Sequence, residues 1–227
     1  REPVDTFLVG ESYRPRINAF IRKQVEEGHQ CFVVCPAVEE NEELNIKSAE
    51  LWAETLQTAV FPDLKVSLLH GRMKAAEKEA VMSAFAAGEI QLLVSTTVIE
   101  VGVDVPNATL MVIENAERFG LSQLHQLRGR VGRGAEQSFC LLMTGYKLSQ
   151  ESRQRIELMC STNDGFELAE ADLRMRGPGD IEGTQQSGLA IDLRLSNLAK
   201  DGSLLNYARE MANTILQNDP LLERPEH

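Results

Sequence analysis

The sequence predicts an α/β protein built on a mostly parallel sheet with helices on both faces. Three observations point there. Over the first 145 residues, short and continuously apolar segments alternate with segments of helical periodicity. The helical segments at 14–27 and 75–88 stop at a glycine, the residue that most readily ends a helix in the left-handed conformation. Strand-like segments then cease after Gly145.

Taken in order, residues 14–27 place Ile17, Phe20, Ile21 and Val25 at helical spacing, and Gly28 stops the helix. The run CFVVC at 31–35 ends at Pro36 and reads as a strand buried on both faces. An acidic loop follows, then a helix over 47–60 and a strand over 65–70. A helix at 75–88, a strand at 90–96 and a strand at 108–115 come next. The segment beginning LSQLHQLRGR starts as a helix capped by Ser122, and a fifth strand spans 138–145. Beyond it, a helix capped by Ser149, a second helix from Asp164, a glycine-rich loop and a last helical stretch at 192–218 form a polar tail. The chain therefore divides into residues 1–145, a sheet domain, and residues 146–227, an appended module.

Composition narrows the function. The 227 residues carry 23 basic and 34 acidic side chains, a formal charge of −11. Neither part of the chain is basic, so coating nucleic acid by bulk charge is excluded and any anion must be bound by local clusters. No apolar run reaches the roughly 20 residues of a membrane-spanning helix, which makes a cytoplasmic protein without membrane contact the expectation. The four cysteines sit among apolar neighbours without a C-x-x-C pair, so they read as buried free thiols and not as a metal site.

Three stretches carry candidate chemistry, each expected just beyond the carboxyl end of a strand. In STTVIEVGVDVPNA (95–108), Thr96 and Thr97 offer hydroxyls to phosphate oxygens, Gly102 permits close backbone approach and Asp104 follows. A tight connection in which Asp104 caps a turn beside Pro106 fits the same residues. In HQLRGRVGRG (125–134), Arg128, Arg130 and Arg133 are interleaved with three glycines. Glu117 and Glu136 do not balance these arginines plus Arg118, and planar guanidinium forks suit phosphate. The segment reads as an anion site. In DLRMRGPGDIEGTQQSG (172–188), Arg174 and Arg176 meet a loop bearing Gln185 and Gln186, a pattern equally suited to a solvated loop. A G-x-x-x-x-G-K-[ST] phosphate loop is absent from the sequence.

The pair STTVIEVGVDVPNA and QLHQLRGRVGRG, in that order, resembles the fifth and sixth motifs of superfamily-two helicases. Gln126, Gly129, Arg130, Gly132 and Arg133 satisfy Q-x-x-G-R-x-G-R. The stretch at 172–188, preceded by a helical hairpin, resembles the translocation module shared by the RecG helicases and the transcription-repair coupling factor Mfd. The proline of RGPGD and the opening REPVDTFLV favour the RecG family.

The resemblance implies a three-layer α/β/α RecA-like fold for 1–145, the second of two motor domains, followed by a translocation module at 146–227. It implies a fork- and junction-remodelling, ATP-dependent helicase acting as a monomer on double-stranded and branched DNA. ATP and magnesium would be held mainly by a first motor domain that, like the wedge domain, lies outside this sequence, so the chain alone would be inactive. Arg130 and Arg133 would act as arginine fingers, with Gln126 orienting the site. Gly102 and Asp104 would line the nucleotide side of the cleft. Gly71, Arg72, Thr96 and Thr97 would meet the nucleic-acid backbone. Arg174, Arg176, Gln185 and Gln186 would couple the hairpin to the loop. A coupling-factor motor domain and a non-enzymatic RecA-like nucleic-acid-binding module are the competing readings.

Overall fold

The computed structural model describes residues 3–37, 41–96, 105–145 and 147–176. Six strands form one sheet, every pairing parallel: β1 (Asp5–Gly10), β2 (Gln30–Val34), β3 (Val66–Leu69), β4 (Leu92–Ser95), β5 (Ala108–Ile113) and β6 (Phe139–Thr144). Their spatial order is β1-β6-β5-β2-β4-β3. The helices are α1 (Arg14–Glu26), α2 (Glu42–Thr55), α3 (Ala75–Ala86), α4 (Leu121–Arg128), α5 (Gln150–Ser161) and α6 (Gly165–Arg176).

Alternation along each strand builds a core on either face. On β2, Cys31 and Val33 join Ile17 and Ile21 of α1 and Ala49 of α2. Phe32 and Val34 point the other way, to Phe85 of α3, Leu124 of α4 and Ile156 of α5. The inner strands are buried on both faces, which is why they read as unbroken apolar runs. The three-layer arrangement is therefore present. Cys31, Cys35 and Cys140 are buried free thiols and Cys160 is half-buried. Burial pushes the Cys35 and Cys140 thiols up to about 12.

Several boundaries differ from expectation. The sheet has a sixth strand, β1, whose register runs from Asp5 opposite Phe139 to Gly10 opposite Thr144. Helix α2 starts at Glu42, within the stretch expected to be an acidic loop. The Asn41 side chain caps it by accepting from the Glu43 N–H, and acidic residues in its first turn favour the helix dipole. The helix then widens into a single π-type turn, Leu56–Val60. The cap of α4 is Gly120, not Ser122: Gly120 holds an extended backbone and its N–H donates to Gln123 Oε1 at 3.1 Å. Ser149 does cap α5, accepting from the Ser152 N–H.

The chain divides into two compact units, residues 1–168 and 169–227. No strand follows β6 among the described residues. The glycine-rich loop and the helix expected at 192–218 lie outside them.

Candidate functional site

Because all strands are parallel, the sheet has one carboxyl edge and one amino edge, and the candidate residues divide between them. At the carboxyl edge, Leu69 and Ser95 are paired at the ends of β3 and β4. Thr96 follows β4, is buried, and its N–H donates to Leu69 O. Gly71 and Arg72 follow β3 and are exposed. Arg72 Nε reaches Glu42 Oε2 at 3.3 Å, and a Cβ on Gly71 would meet Glu42 Oε1 at 2.8 Å. The Glu42 side chain at the N-terminus of α2 thus reaches over this turn. The Ser95 hydroxyl and His70 Nδ1 are buried without a hydrogen-bond partner among the described residues.

Sequence reasoning overlooked a second feature of this edge. Arg14, at the start of α1, grips Glu114 at the end of β5 with two hydrogen bonds of 2.6 and 2.7 Å and also binds Glu11. Its guanidinium lies 5.3 Å from the centre of the Trp52 ring. Arg14 holds the Glu11 carboxyl below its usual range. These groups border a cavity of about 460 Å³ together with Cys35, Asn45 and Asn115. Asn115 is the non-glycine residue with positive φ among those described, turning the chain sharply after β5. A charged residue closing a long apolar strand is the signal that marked Glu114.

The arginine-rich segment lies at the opposite edge, contrary to the expectation of a carboxyl-edge loop. It follows α4 and leads into β6, and in a strand–helix–strand unit that connection returns to the edge where strands begin. The chain turns as Arg130 N–H donates to Leu127 O and Val131 N–H to Arg128 O. Gly132 has φ +72°, a conformation that favours glycine, and its N–H donates to Ser138 Oγ at 3.1 Å. Arg133 is exposed, with Nε donating to Gly129 O at 2.9 Å, while Arg130 is half-buried and Gln126 exposed. A Cβ on Gly134 would come within 2.6 Å of Pro106 O. The loop carrying both arginines is thus packed against the segment that follows Gly102 and Asp104 in the chain. Gly102, Asp104 and Thr97 themselves lie outside the described residues.

Arg128 behaves unlike its neighbours. It is 3% exposed, so it does not join Arg130 and Arg133 at an open rim. Its described partners are neutral atoms: Nη1 donates to Met159 O (2.8 Å), Thr162 O (2.9 Å) and Thr6 Oγ1 (3.3 Å). In the tail, Arg174 is exposed on α6 and paired with Glu170 of the same helix, an ordinary i,i+4 ion pair. Arg176 ends α6; its side chain, like Gln185 and Gln186, is outside the described residues.

Comparison with known proteins decides the family. The family model described as the helicase conserved C-terminal domain matches residues 15–135. The chain belongs to the helicase conserved C-terminal domain family. A second model, the C-terminal part of domain 3 of the ATP-dependent DNA helicase RecG, matches residues 162–227. The chain is similar to the RecG of Synechocystis sp. (53% identity over 98% of this chain and 27% of that protein). It is also similar to the RecG of Bacillus subtilis (44% identity over 100% of this chain and 33% of that protein). Among solved structures, one of RecG bound to a three-way DNA junction matches with a TM-score of 0.70 and 44% identity, covering 90% of this chain and 26% of that one. The chain therefore spans about a quarter to a third of the length of these relatives. The sheet is the RecA-like sheet of helicase C-terminal domains, and the Q-x-x-G-R-x-G-R segment lies inside the helicase match. Among the described residues, no helix is long and apolar enough to cross a membrane.

Proposed function

We propose that this chain is the second RecA-like motor domain, with its translocation segment, of an ATP-dependent translocase. That enzyme moves on double-stranded DNA, remodels replication forks and branch-migrates junctions in recombination and repair. The observation that carries the reading is the placement of Arg130 and Arg133 on a glycine loop packed against the Pro106 segment, on the sheet edge opposite Gly71, Arg72 and Thr96. One edge is suited to a nucleotide gripped by another domain, and the other to a nucleic-acid backbone. Similarity to a RecG solved on a three-way junction supports branched DNA as the substrate class.

The donors fit a triphosphate. Arg130, Arg133 and the backbone of the glycine loop offer N–H groups to an anion, and guanidinium forks match phosphoryl oxygens. Among the described residues no group of His, Cys, Asp and Glu is arranged to hold a metal ion. In this reading the magnesium ligands and the phosphate loop belong to a first motor domain elsewhere in the same protein. ATP hydrolysis supplies the free energy. This chain's part is to present Arg133 and Arg130 to charge developing on the phosphoryl oxygens, with Gln126 orienting them. Gly102 and Asp104 line the nucleotide side. Arg72 and the hydroxyls of Thr96 and Thr97 follow the DNA backbone without reading bases, as a translocase that releases and rebinds at each step requires. Arg174, Arg176, Gln185 and Gln186 link the hairpin to the glycine-rich loop. The protein acts in the cytoplasm.

The test compares the purified 227-residue chain with the full-length protein. The chain alone is expected to hydrolyse no ATP and to bind duplex DNA weakly at −11 charge. The full-length protein is expected to show DNA-stimulated hydrolysis and to displace a triplex strand from duplex DNA. Robust hydrolysis by the chain alone overturns the reading.

A further inference from the structure

The cavity at the carboxyl edge owes its position to topology. From β2 the chain runs through α2 to β3 at one end of the sheet, and from β5 it runs through α4 to β6 on the other side. β2 and β5 are paired neighbours, yet their onward helices cover opposite faces, Ala49 of α2 joining one core and Leu124 of α4 the other. Such a switch point opens a crevice beyond the strand ends, where parallel sheets take their ligands. The cavity lies there: Cys35 and Pro36 follow β2, Glu114 and Asn115 follow β5, and all four line it. Its volume of about 460 Å³ falls within the roughly 300–1,000 Å³ typical of small-ligand sites.

The lining says what fits. Asn45, Ser48 and Trp52 share one face of α2 and bring an amide, a hydroxyl and an indole ring. Asn115 adds a second amide from its left-handed turn. The charged members are Arg14, Glu11 and Glu114, one cation and two carboxylates for a net −1, and Arg14 is already gripped by both carboxylates. Such a lining repels phosphate and suits a neutral, flat ring with hydrogen-bonding edges. Amides pair with the edges of nucleobases, and aromatic side chains attract any base. The cavity also adjoins the proposed DNA path. The Glu114 N–H donates to Val34 O and the Cys35 N–H to Ser95 O, both at 2.8 Å, so the ends of β5, β2 and β4 stand side by side. Thr96 follows Ser95 directly, one strand away from the cavity wall.

We propose that this cavity is a nucleobase pocket, which receives an unpaired base of the DNA whose backbone is held at Thr96 and Arg72. The inference rests on the proposed function, which puts DNA on this edge. A base already out of its pair enters at little cost, whereas one inside a continuous duplex must first be unstacked. The pocket therefore registers that a base is unpaired, not which base it is, and marks a branch point without reading sequence.

The experiment uses the full-length protein and two three-way DNA junctions. One carries a single unpaired nucleotide at the branch point, and the other an abasic unit at the same place. The unmodified protein is expected to bind the first about fivefold tighter or more. Asn115→Gly keeps the positive-φ turn and removes the amide, and Ser48→Phe adds bulk at the cavity wall. In each variant the ratio of the two affinities should fall to within about twofold of unity, a comparison made inside one protein. Photocrosslinking needs no variant and stays decisive should these fail to fold: 5-iodouracil as the unpaired base should attach to the peptide carrying Trp52. Equal affinity of the unmodified protein for both junctions, or attachment away from the cavity, overturns the pocket. Millimolar adenosine protecting residues 45–52 from hydrogen exchange, with both junctions bound equally, would give the cavity to a free nucleoside and overturn its assignment to DNA. Absence of DNA-stimulated hydrolysis in the unmodified protein overturns the proposed function instead, so the two failures are distinct.

Discussion

Two candidate sites on opposite edges of this sheet, the arginine loop and Arg72, are held by different means. At the amino edge, the arginine loop is located by backbone: Gly134 against Pro106, the Gly132 amide on Ser138, and Arg128 sunk beneath it. At the carboxyl edge, Arg72 is held by one exposed carboxylate at 3.3 Å, an interaction worth at most about 1 kcal/mol and weakened by salt. Positions fixed by main-chain packing resist change, whereas a single exposed ion pair exchanges readily for a phosphate. The difference matches the proposed work, since a group that stabilises a transition state must not wander and one that grips DNA must let go.

The largest effect should come from the rigid edge. Arg133→Ala in the full-length protein is expected to cut DNA-stimulated ATP hydrolysis by about 10³-fold or more, with DNA affinity within a few-fold. A result in which DNA binding collapses and hydrolysis survives would reverse the assignment of the two edges. Next, Gly134→Ala forces a Cβ onto a backbone oxygen. It should destabilise the protein by about 1–3 kcal/mol in a denaturation midpoint. Displacement of the neighbouring arginines by about 1 Å should cost about 10²-fold in hydrolysis.

At the exchangeable edge, Arg72→Ala should leave stability within about 0.5 kcal/mol. It should weaken duplex binding uniformly across sequences and reduce the slope of log affinity against log salt by about 1. An unchanged slope would remove Arg72 from the DNA path.

The smallest effect concerns pH at the amino edge. Burial, then the charge of Arg128, lowers the proton affinity of His125 below its ordinary value of 6.5, with Asp164 opposing. A lowered value in the folded state means that below pH 6.5 the unfolded chain takes up a proton before the folded one does. Stability contributed here is therefore present above that pH and lost as pH falls below it. The melting temperature should drop from pH 7.5 to 5.5, and less so in His125→Asn.

Most of the layer structure was legible because buried parallel strands announce themselves as apolar runs such as FVV and LLV, and glycines mark helix ends. β1 was not. At the sheet margin, Phe7 is 48% exposed and the strand's burial is uneven, so the opening residues lacked the pattern of an inner strand. The arginine segment was found by composition, yet its edge was misplaced: a motif locates chemistry along the chain, and only the strand–helix–strand path says at which end of the sheet it surfaces. Arg128, Arg130 and Arg133 are alike in sequence. What sets Arg128 apart is the end of α5, some thirty residues later, where the carbonyls of Met159 and Thr162 accept from its buried guanidinium.

The marginal strand also bears on how the molecule is made. Asp5 through Gly10 find their partners in Phe139 through Thr144, so on a growing chain β1 waits, solitary, until nearly the whole sheet domain has emerged. A truncation that removes it would leave β6 as a raw border of unpaired amides and carbonyls, a template for sticking to other copies. Removing β1 should therefore betray itself first as insolubility.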